Sequence, residues 1–326
     1  MNITDIVAVK NLSKRYGDFT AVNGISFSVP RGKIFGFLGP NGAGKTTTIN
    51  MMIGLARPSG GTILIDGIDS VKNVKKVQSI MGIVPDESNL YDEMDGFENL
   101  CFCGSLYGMR KEAREKRAKE LLEKFDLTKA GRRPFKKYSK GMRRKLTIAA
   151  GIIHEPEILF LDEPTTGIDV ESARQIRQLL LFLKQGGTTI FLTTHYIEEA
   201  ERICDHIAFI VEGNIVAIGT VPELMEMVSH GHTIRLAADT DLAQLAEELQ
   251  AYFGECTVKT GTDHTVTIIS KERIALSPIL QYLDRHGISV FEAKELRPSL
   301  EDVFIKVTGI EAMELKKEKD KGGMGR

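Results

Sequence analysis

Eight consecutive residues, Gly39-Pro40-Asn41-Gly42-Ala43-Gly44-Lys45-Thr46, constrain this chain more than any other stretch. The run before them, Lys33 to Leu38, reads as a short buried strand, and Thr47 to Ile53 reads as a helix. A strand, a glycine-rich turn with this glycine, lysine and threonine spacing, and then a helix form a phosphate-binding P-loop. Glycines allow backbone angles that let successive N–H groups converge on one anion. The helix start adds its positive end. In such a loop Lys45 reaches the β- and γ-phosphates and the Thr46 hydroxyl ligates Mg²⁺. Gly39, Asn41, Gly42, Gly44, Lys45, Thr46 and Thr47 are therefore the candidate nucleotide-binding residues.

The 326 residues are enough for two domains, and 42% of them are hydrophobic, so a sizeable core is available. A formal net charge of −1 argues against a surface that coats nucleic acid. No apolar run approaches the ~20 residues of a membrane span. Met1 to Asp5 lacks the basic-then-apolar pattern of a signal peptide. Cys101, Cys103, Cys204 and Cys256 are too scattered for a disulfide framework, and they read as small buried apolar residues of a cytosolic protein.

Along the chain, Ile6 to Lys14 and Asn23 to Val29 read as strands joined by a turn over Arg15 to Phe19. After the P-loop unit come strands at Thr62 to Ile65 and Ile80 to Val84. Ser88 to about Ile153 then reads as a helical insertion, with one helical pattern and a charged solvated face from Phe97 to Phe125. The apolar run in Glu157 to Glu163 is a strand buried on both faces, as in a parallel sheet. A helix over Asp169 to Lys184, a strand over Thr188 to Thr193, a helix over Tyr196 to Cys204 and a hairpin, His206 to Val211 with Ile215 to Ile218, follow. Alternating strands and helices predict an open, mostly parallel α/β sheet. Ser229-His230-Gly231 marks a boundary, giving a first domain over 1–228 and a second over 229–308. The second reads β-α-β-β-α-β, a ferredoxin-like order: Thr233 to Ala237, helix Leu242 to Tyr252, Thr257 to Lys259, Thr265 to Ile269, helix Ile274 to Arg285, Ser289 to Ala293. A short helix over Leu300 to Val307 closes it, and the polar segment 309–326 is expected to be disordered.

Asp162 ends the strand Ile158 to Leu161, the sheet edge where ligands bind in open α/β folds. It is placed to share Mg²⁺ with Thr46, and Glu163 is the candidate general base or water-orienter. Ser139, in Tyr138-Ser139-Lys140-Gly141-Met142-Arg143, is a natural N-cap, and Gly141 lets the backbone of that helix start come close to an anion. His195 follows the strand ending in Thr193-Thr194, at the same edge as Asp162. Thr166 to Asp169 lies just past Glu163 and could cross to a second subunit.

Together these motifs resemble, in order and over the first two-thirds of the chain, the nucleotide-binding subunit of an ATP-binding-cassette (ABC) transporter. The matching residues are Tyr16 as the aromatic that stacks on adenine, Gly39 to Thr46 as Walker A, Tyr138 to Arg143 as the signature, Ile158 to Glu163 as Walker B, Thr166 to Asp169 as the D-loop and His195 as the switch histidine. The resemblance implies a P-loop NTPase domain with a helical and an antiparallel β subdomain. It also implies a homodimer in which each Mg²⁺-ATP is sandwiched between one subunit's Walker motifs and the other's Ser139 and Gly141, with Asp169 nearby. Glu163 would activate water and His195 would contact the γ-phosphate. Two departures stand out. Asp86 occupies the position where the family usually has Gln, and is expected to keep a metal role beside Thr46 and Asp162. Lys140 and Met142 replace Gly and Gln, which looks like the subgroup serving ABC-2-type exporters of the daunorubicin-resistance and sodium-export kinds; Arg297 to Phe304 resembles that subgroup's C-terminal ending. An integral-membrane ABC-2-type permease is then the implied partner, around Tyr91 to Tyr107, placing the chain on the inner face of the cell membrane. The competing expectation, a soluble ABC ATPase acting on ribosomes or DNA, is disfavoured by the single cassette, the lack of an inserted coiled coil and the near-neutral charge. The second domain has no evident catalytic set, and a role in dimerisation or in regulating turnover is expected of it.

Overall fold

The computed structural model describes residues 5–228, 231–240, 249–250, 256–261, 264–270, 272, 274–296 and 299–309. Two compact units emerge, one on residues up to Val221 together with those from Val307 on, and one over Pro222–Lys306. In the first, the elements run β1 (Asp5–Tyr16), β2 (Phe19–Pro30), β3 (Ile34–Leu38), α1 (Lys45–Met52), β4 (Gly60–Ile65), β5 (Ile68–Asp69), α2 (Val74–Gln78), β6 (Met81–Val84), α3 (Gly96–Leu106), α4 (Lys111–Lys124), α5 (Lys140–Gly151), β7 (Ile158–Asp162), α6 (Val170–Gln185), β8 (Thr189–Thr194), α7 (Ile197–Ile203), β9 (His206–Val211) and β10 (Asn214–Thr220).

A six-stranded sheet, order β10-β9-β3-β8-β7-β6, forms the centre. All its pairings are parallel except the β9–β10 hairpin at one edge. Every residue of β3, β7 and β8 is buried, as a parallel sheet covered on both faces requires. Because these strands are neighbours in register, the P-loop, Asp162 and His195 all leave the same carboxyl edge. An antiparallel sheet, order β2-β1-β4-β5, packs on this core. The junction is aromatic: Phe27 of β2 stacks on Phe35 with ring centroids 5.6 Å apart, and Phe35 stacks on Phe191 at 5.5 Å.

The helical insertion differs from the single helical pattern the sequence suggested. It holds α3 and α4, parted where Gly108 takes φ +75°. Asp95 and Glu98 form a reciprocal capping box at the start of α3, so the insertion has its own strong helix start. The turn expected over Arg15 to Phe19 shrinks to Gly17-Asp18: Tyr16 already pairs with Phe19 across the hairpin. Two short elements, β5 and α2, were too brief to show a period in the sequence. Cys101 and Cys103 are only half-buried on α3, whereas Cys204 and Cys256 are buried, and all are free thiols.

In the second unit, β11 (His232–Ala238), β12 (Cys256–Thr260), β13 (Thr265–Ser270) and β14 (Val290–Leu296) form an antiparallel sheet of order β12-β13-β11-β14. Helix Leu276–Arg285 contributes buried Ile279 and Leu283 to its core. Most of the helix expected over Leu242 to Tyr252, the boundary residues Ser229 and His230, and the tail beyond 309 lie outside the described residues.

Two packing details of the first unit are testable. A Cβ on Gly141 would overlap the Ser172 hydroxyl and come within 2.6 Å of Ser172 Cβ, so glycine is what lets the starts of α5 and α6 touch. Gly141→Ala should destabilise by about 1–3 kcal/mol through overpacking. Ser172→Gly should recover part of that in the double variant by thermal melting, and strictly additive losses would show that the contact is not the cause. Asp205, after α7, accepts from Ile34 N at 2.9 Å and pairs with Lys184 Nζ at 2.7 Å. Burial would raise its carboxyl, but the Lys184 and Ile34 bonds with nearby Lys33 outweigh burial, and it sits below the ordinary carboxylate value. A depressed folded-state value stabilises above the unfolded value and loses that contribution as pH falls through the folded one. In urea unfolding, the stability advantage over Asp205→Asn should therefore be full near neutral pH and shrink in acid; a pH-independent difference would contradict it.

Candidate functional site

The loop after β3 closes around the Lys45 ammonium, which is 6% exposed and donates to Gly39 O at 2.8 Å and Pro40 O at 3.1 Å. Gly42 takes φ +78° and Gly44 φ +103°, conformations that a side chain would strain. Gly44 also lies where a Cβ would meet the Ala21 carbonyl at 2.5 Å, so the loop is pressed onto β2. A cleft of about 440 Å³ opens beside it, lined by the predicted Asn41, Gly42, Gly44, Lys45, Thr46, Thr47, Asp86, Asp162 and Glu163. Phe19 and Ala21 of β2 line it too. Phe19 was missed because it read as a turn residue. It is 63% exposed and sits across the hairpin from Tyr16, itself 54% exposed, so both rings stand at the rim of the same hairpin.

At the inner end of the cleft, Thr46 Oγ1 donates to Asp162 Oδ2 at 3.0 Å. The other oxygen of Asp162 accepts a short bond from Thr193 Oγ1. Adjacent oxygens on an octahedral Mg²⁺ with bonds of ~2.0–2.1 Å lie ~2.9 Å apart. The Thr46 and Asp162 oxygens thus have the hardness and the spacing that ion needs, although no cluster of three or more acidic, His or Cys side chains suited to a metal exists among the described residues. Asp86, also expected to ligate the metal, lines the same cleft as Thr46 and Asp162 and bonds Arg144 as well. Its Oδ1 lies 3.2 Å from Arg144 Nη2. Burial raises the Asp86 carboxyl, with Asp162 and Glu163 adding to the rise and Arg144 opposing it.

Glu163 is the most closely held group. Its backbone sits at φ +48°, and its N–H donates to Thr193 Oγ1 at 3.1 Å. Its Oε2 accepts from Thr166 Oγ1 at 3.0 Å and lies 2.8 Å from His195 Nδ1, while Oε1 is 3.4 Å from Lys45 Nζ. Burial pushes this carboxyl up, but His195, Lys45 and Thr166 outweigh burial, and it lies below the ordinary range. An ionised carboxylate only accepts, so Nδ1 of His195 carries the shared hydrogen. That leaves His195 Nε2 buried with no partner among the described residues, an orphaned polar atom of the kind a bound ligand satisfies. Lys45 and the backbone of the loop fit a phosphate chain, while His195 stands behind Glu163 and is not among the residues lining the cleft.

Ser139, Gly141 and Asp169 do not line this cleft. Ser139 caps α5 by accepting from Met142 N at 3.2 Å, and Asp169 caps α6 by accepting from Ser172 N at 2.8 Å. The bonds from Ser172 hold the Asp169 carboxyl below its ordinary value. Sequence reasoning missed Arg144, which is 8% exposed and bonds to both edge loops. Its signal was present: a charged residue on the buried stripe of α5 with Gly141 and Ile148.

The ABC transporter family model matches residues 22–166. A daunorubicin resistance ATP-binding protein, DrrA3 of Streptomyces coeruleorubidus, is 37% identical over 93% of this chain and 96% of its own length. A Nod factor export ATP-binding protein I of Ralstonia nicotianae is 38% identical over 94% of this chain and 95% of its own. Among solved structures, a dimeric ATP-binding cassette in a post-hydrolysis state bound to ADP and Pi superposes with a TM-score of 0.60 at 26% identity, covering 66% of this chain and 98% of that one. The chain belongs to the ABC transporter family, as one of its ATP-binding, ATP-hydrolysing subunits.

Proposed function

We propose that this subunit powers export through a separate integral-membrane permease of the ABC-2 type, acting as a homodimer at the inner face of the cell membrane. The observation that carries the chemistry is the convergence of Lys45, Thr46, Asp162, Glu163 and His195 on one sheet edge. The resistance and export names of the relatives support the direction of transport. No helix among the described residues is long and apolar enough to cross a membrane, so transport calls for a partner that spans it.

In this reading Lys45 and the loop N–H groups bind the β- and γ-phosphates, while Tyr16 and Phe19 stack on the base. Thr46 and Asp162 would hold Mg²⁺, directly or through water, and the ion would supply positive charge against the phosphates. The Glu163 carboxylate accepts the proton of the attacking water or orients it. His195, fixed by Glu163 through Nδ1, donates from Nε2 to the γ-phosphate only when its ring carries a hydrogen on both nitrogens, as an imidazolium balanced by the Glu163 carboxylate. Ser139 and Gly141 serve the triphosphate of the other subunit, which accounts for their absence from their own chain's cleft, and Asp169 crosses with them. The second unit is assigned to dimer support or control of turnover.

Glu163→Gln keeps the shape and removes the base. Turnover should drop at least about 10²-fold, the lower end for a positioned base. With ATP and Mg²⁺ the variant should elute as a dimer in gel filtration. Turnover like that of the unmodified chain would remove Glu163 from the mechanism.

A further inference from the structure

A buried charge that the nucleotide chemistry leaves unused lies behind the cleft. Arg144 of α5 is 8% exposed, and its guanidinium spans two loops of the sheet edge. Nη1 donates to Pro85 O at 2.7 Å. Nη2 donates to Asp86 O at 2.6 Å, lies 3.2 Å from Asp86 Oδ1 and reaches Glu163 O at 3.4 Å. The fork therefore grips the backbone after β6 and the backbone after β7 at once. Glu163 is held at its N–H by Thr193, at its carboxylate by His195, Lys45 and Thr166, and at its carbonyl by the Thr166 N–H at 3.2 Å and by Arg144 at 3.4 Å. A residue at φ +48° persists only when its surroundings over-determine it. A buried guanidinium in turn needs a counter-ion, and the side chain bonded to it is Asp86.

From these contacts we infer that Arg144 is a positioning residue for hydrolysis, and that the Asp86 carboxylate is its charge partner rather than a fixed ligand of the metal. The pair ties α5, whose first turn presents Ser139 and Gly141, to the backbone that aims Glu163. This explains why an acid stands at position 86: a neutral amide there would leave the guanidinium buried without its direct anion. The inference rests on the reading of Glu163 as the water-activating group.

The test uses the purified full-length chain and three readouts: kcat and KM for ATP, affinity for a fluorescent ATP analogue, and thermal melting. Arg144→Lys keeps the charge beside Asp86 but loses the planar fork. Its kcat should fall at least about tenfold, since small misplacements near a reacting centre cost up to ~10²-fold. KM, analogue affinity and melting temperature should stay within about threefold and a few degrees of the unmodified chain. A kcat within twofold, or a loss confined to affinity and melting temperature, would overturn the positioning role. Asp86→Gln, Arg144→Met and the double variant test the pair. The double should melt no lower and turn over no more slowly than the worse single variant, because the second change removes a charge the first left stranded. Losses that multiply would overturn the pairing. Glu163→Gln stands as the separate control: if it hydrolyses ATP normally, the reading of Glu163 fails, while the double-variant melting still decides whether Arg144 and Asp86 are coupled.

Discussion

The bond from Thr46 to Asp162 joins the two halves of the cleft. One oxygen belongs to the first turn of the helix after the P-loop and the other to the end of β7. They can meet only if β3 and β7 flank β8 in a parallel sheet with their carboxyl ends level. The fold supplies this with continuous apolar strands sealed on both faces. Thr193 of β8, the strand between them, bonds the second oxygen of Asp162 and the N–H of Glu163. One sheet edge thus fixes Lys45, Thr46, Asp162 and Glu163 relative to one another, and the helices behind it keep that edge in place.

Much of this was legible in the sequence because the signals are local. A P-loop is a backbone device, and its glycines, Lys45 and Thr46 stand in one short run. β3, β7 and β8 announce themselves as apolar runs, and an acid at the end of such a strand points to the ligand edge. What stayed hidden depends on tertiary contact. Arg144 looks like one more basic residue in a basic stretch until its helix is seen to bury it. Phe19 looks like a turn residue until the hairpin proves tight. The break between α3 and α4 rests on a single glycine within a pattern whose charged face runs through it. Asp86 could be noticed from sequence as an unusual residue, but the reason for it lies on a helix distant in the chain.

The aromatic junction between the two sheets has a mechanical consequence. Phe27 belongs to the sheet whose hairpin carries Tyr16 and Phe19, while Phe35 and Phe191 belong to the sheet that carries the P-loop and β8. Close-packed rings at these separations slide only by opening voids, which interiors resist. The hairpin that carries Tyr16 and Phe19 and the loop that carries Lys45 are therefore anchored in one packed block. The helices α3–α5 meet this block at several points, among them the Arg144 fork on Pro85 and Asp86, His154 on the Met81 carbonyl and Gly151 packed against Gly82.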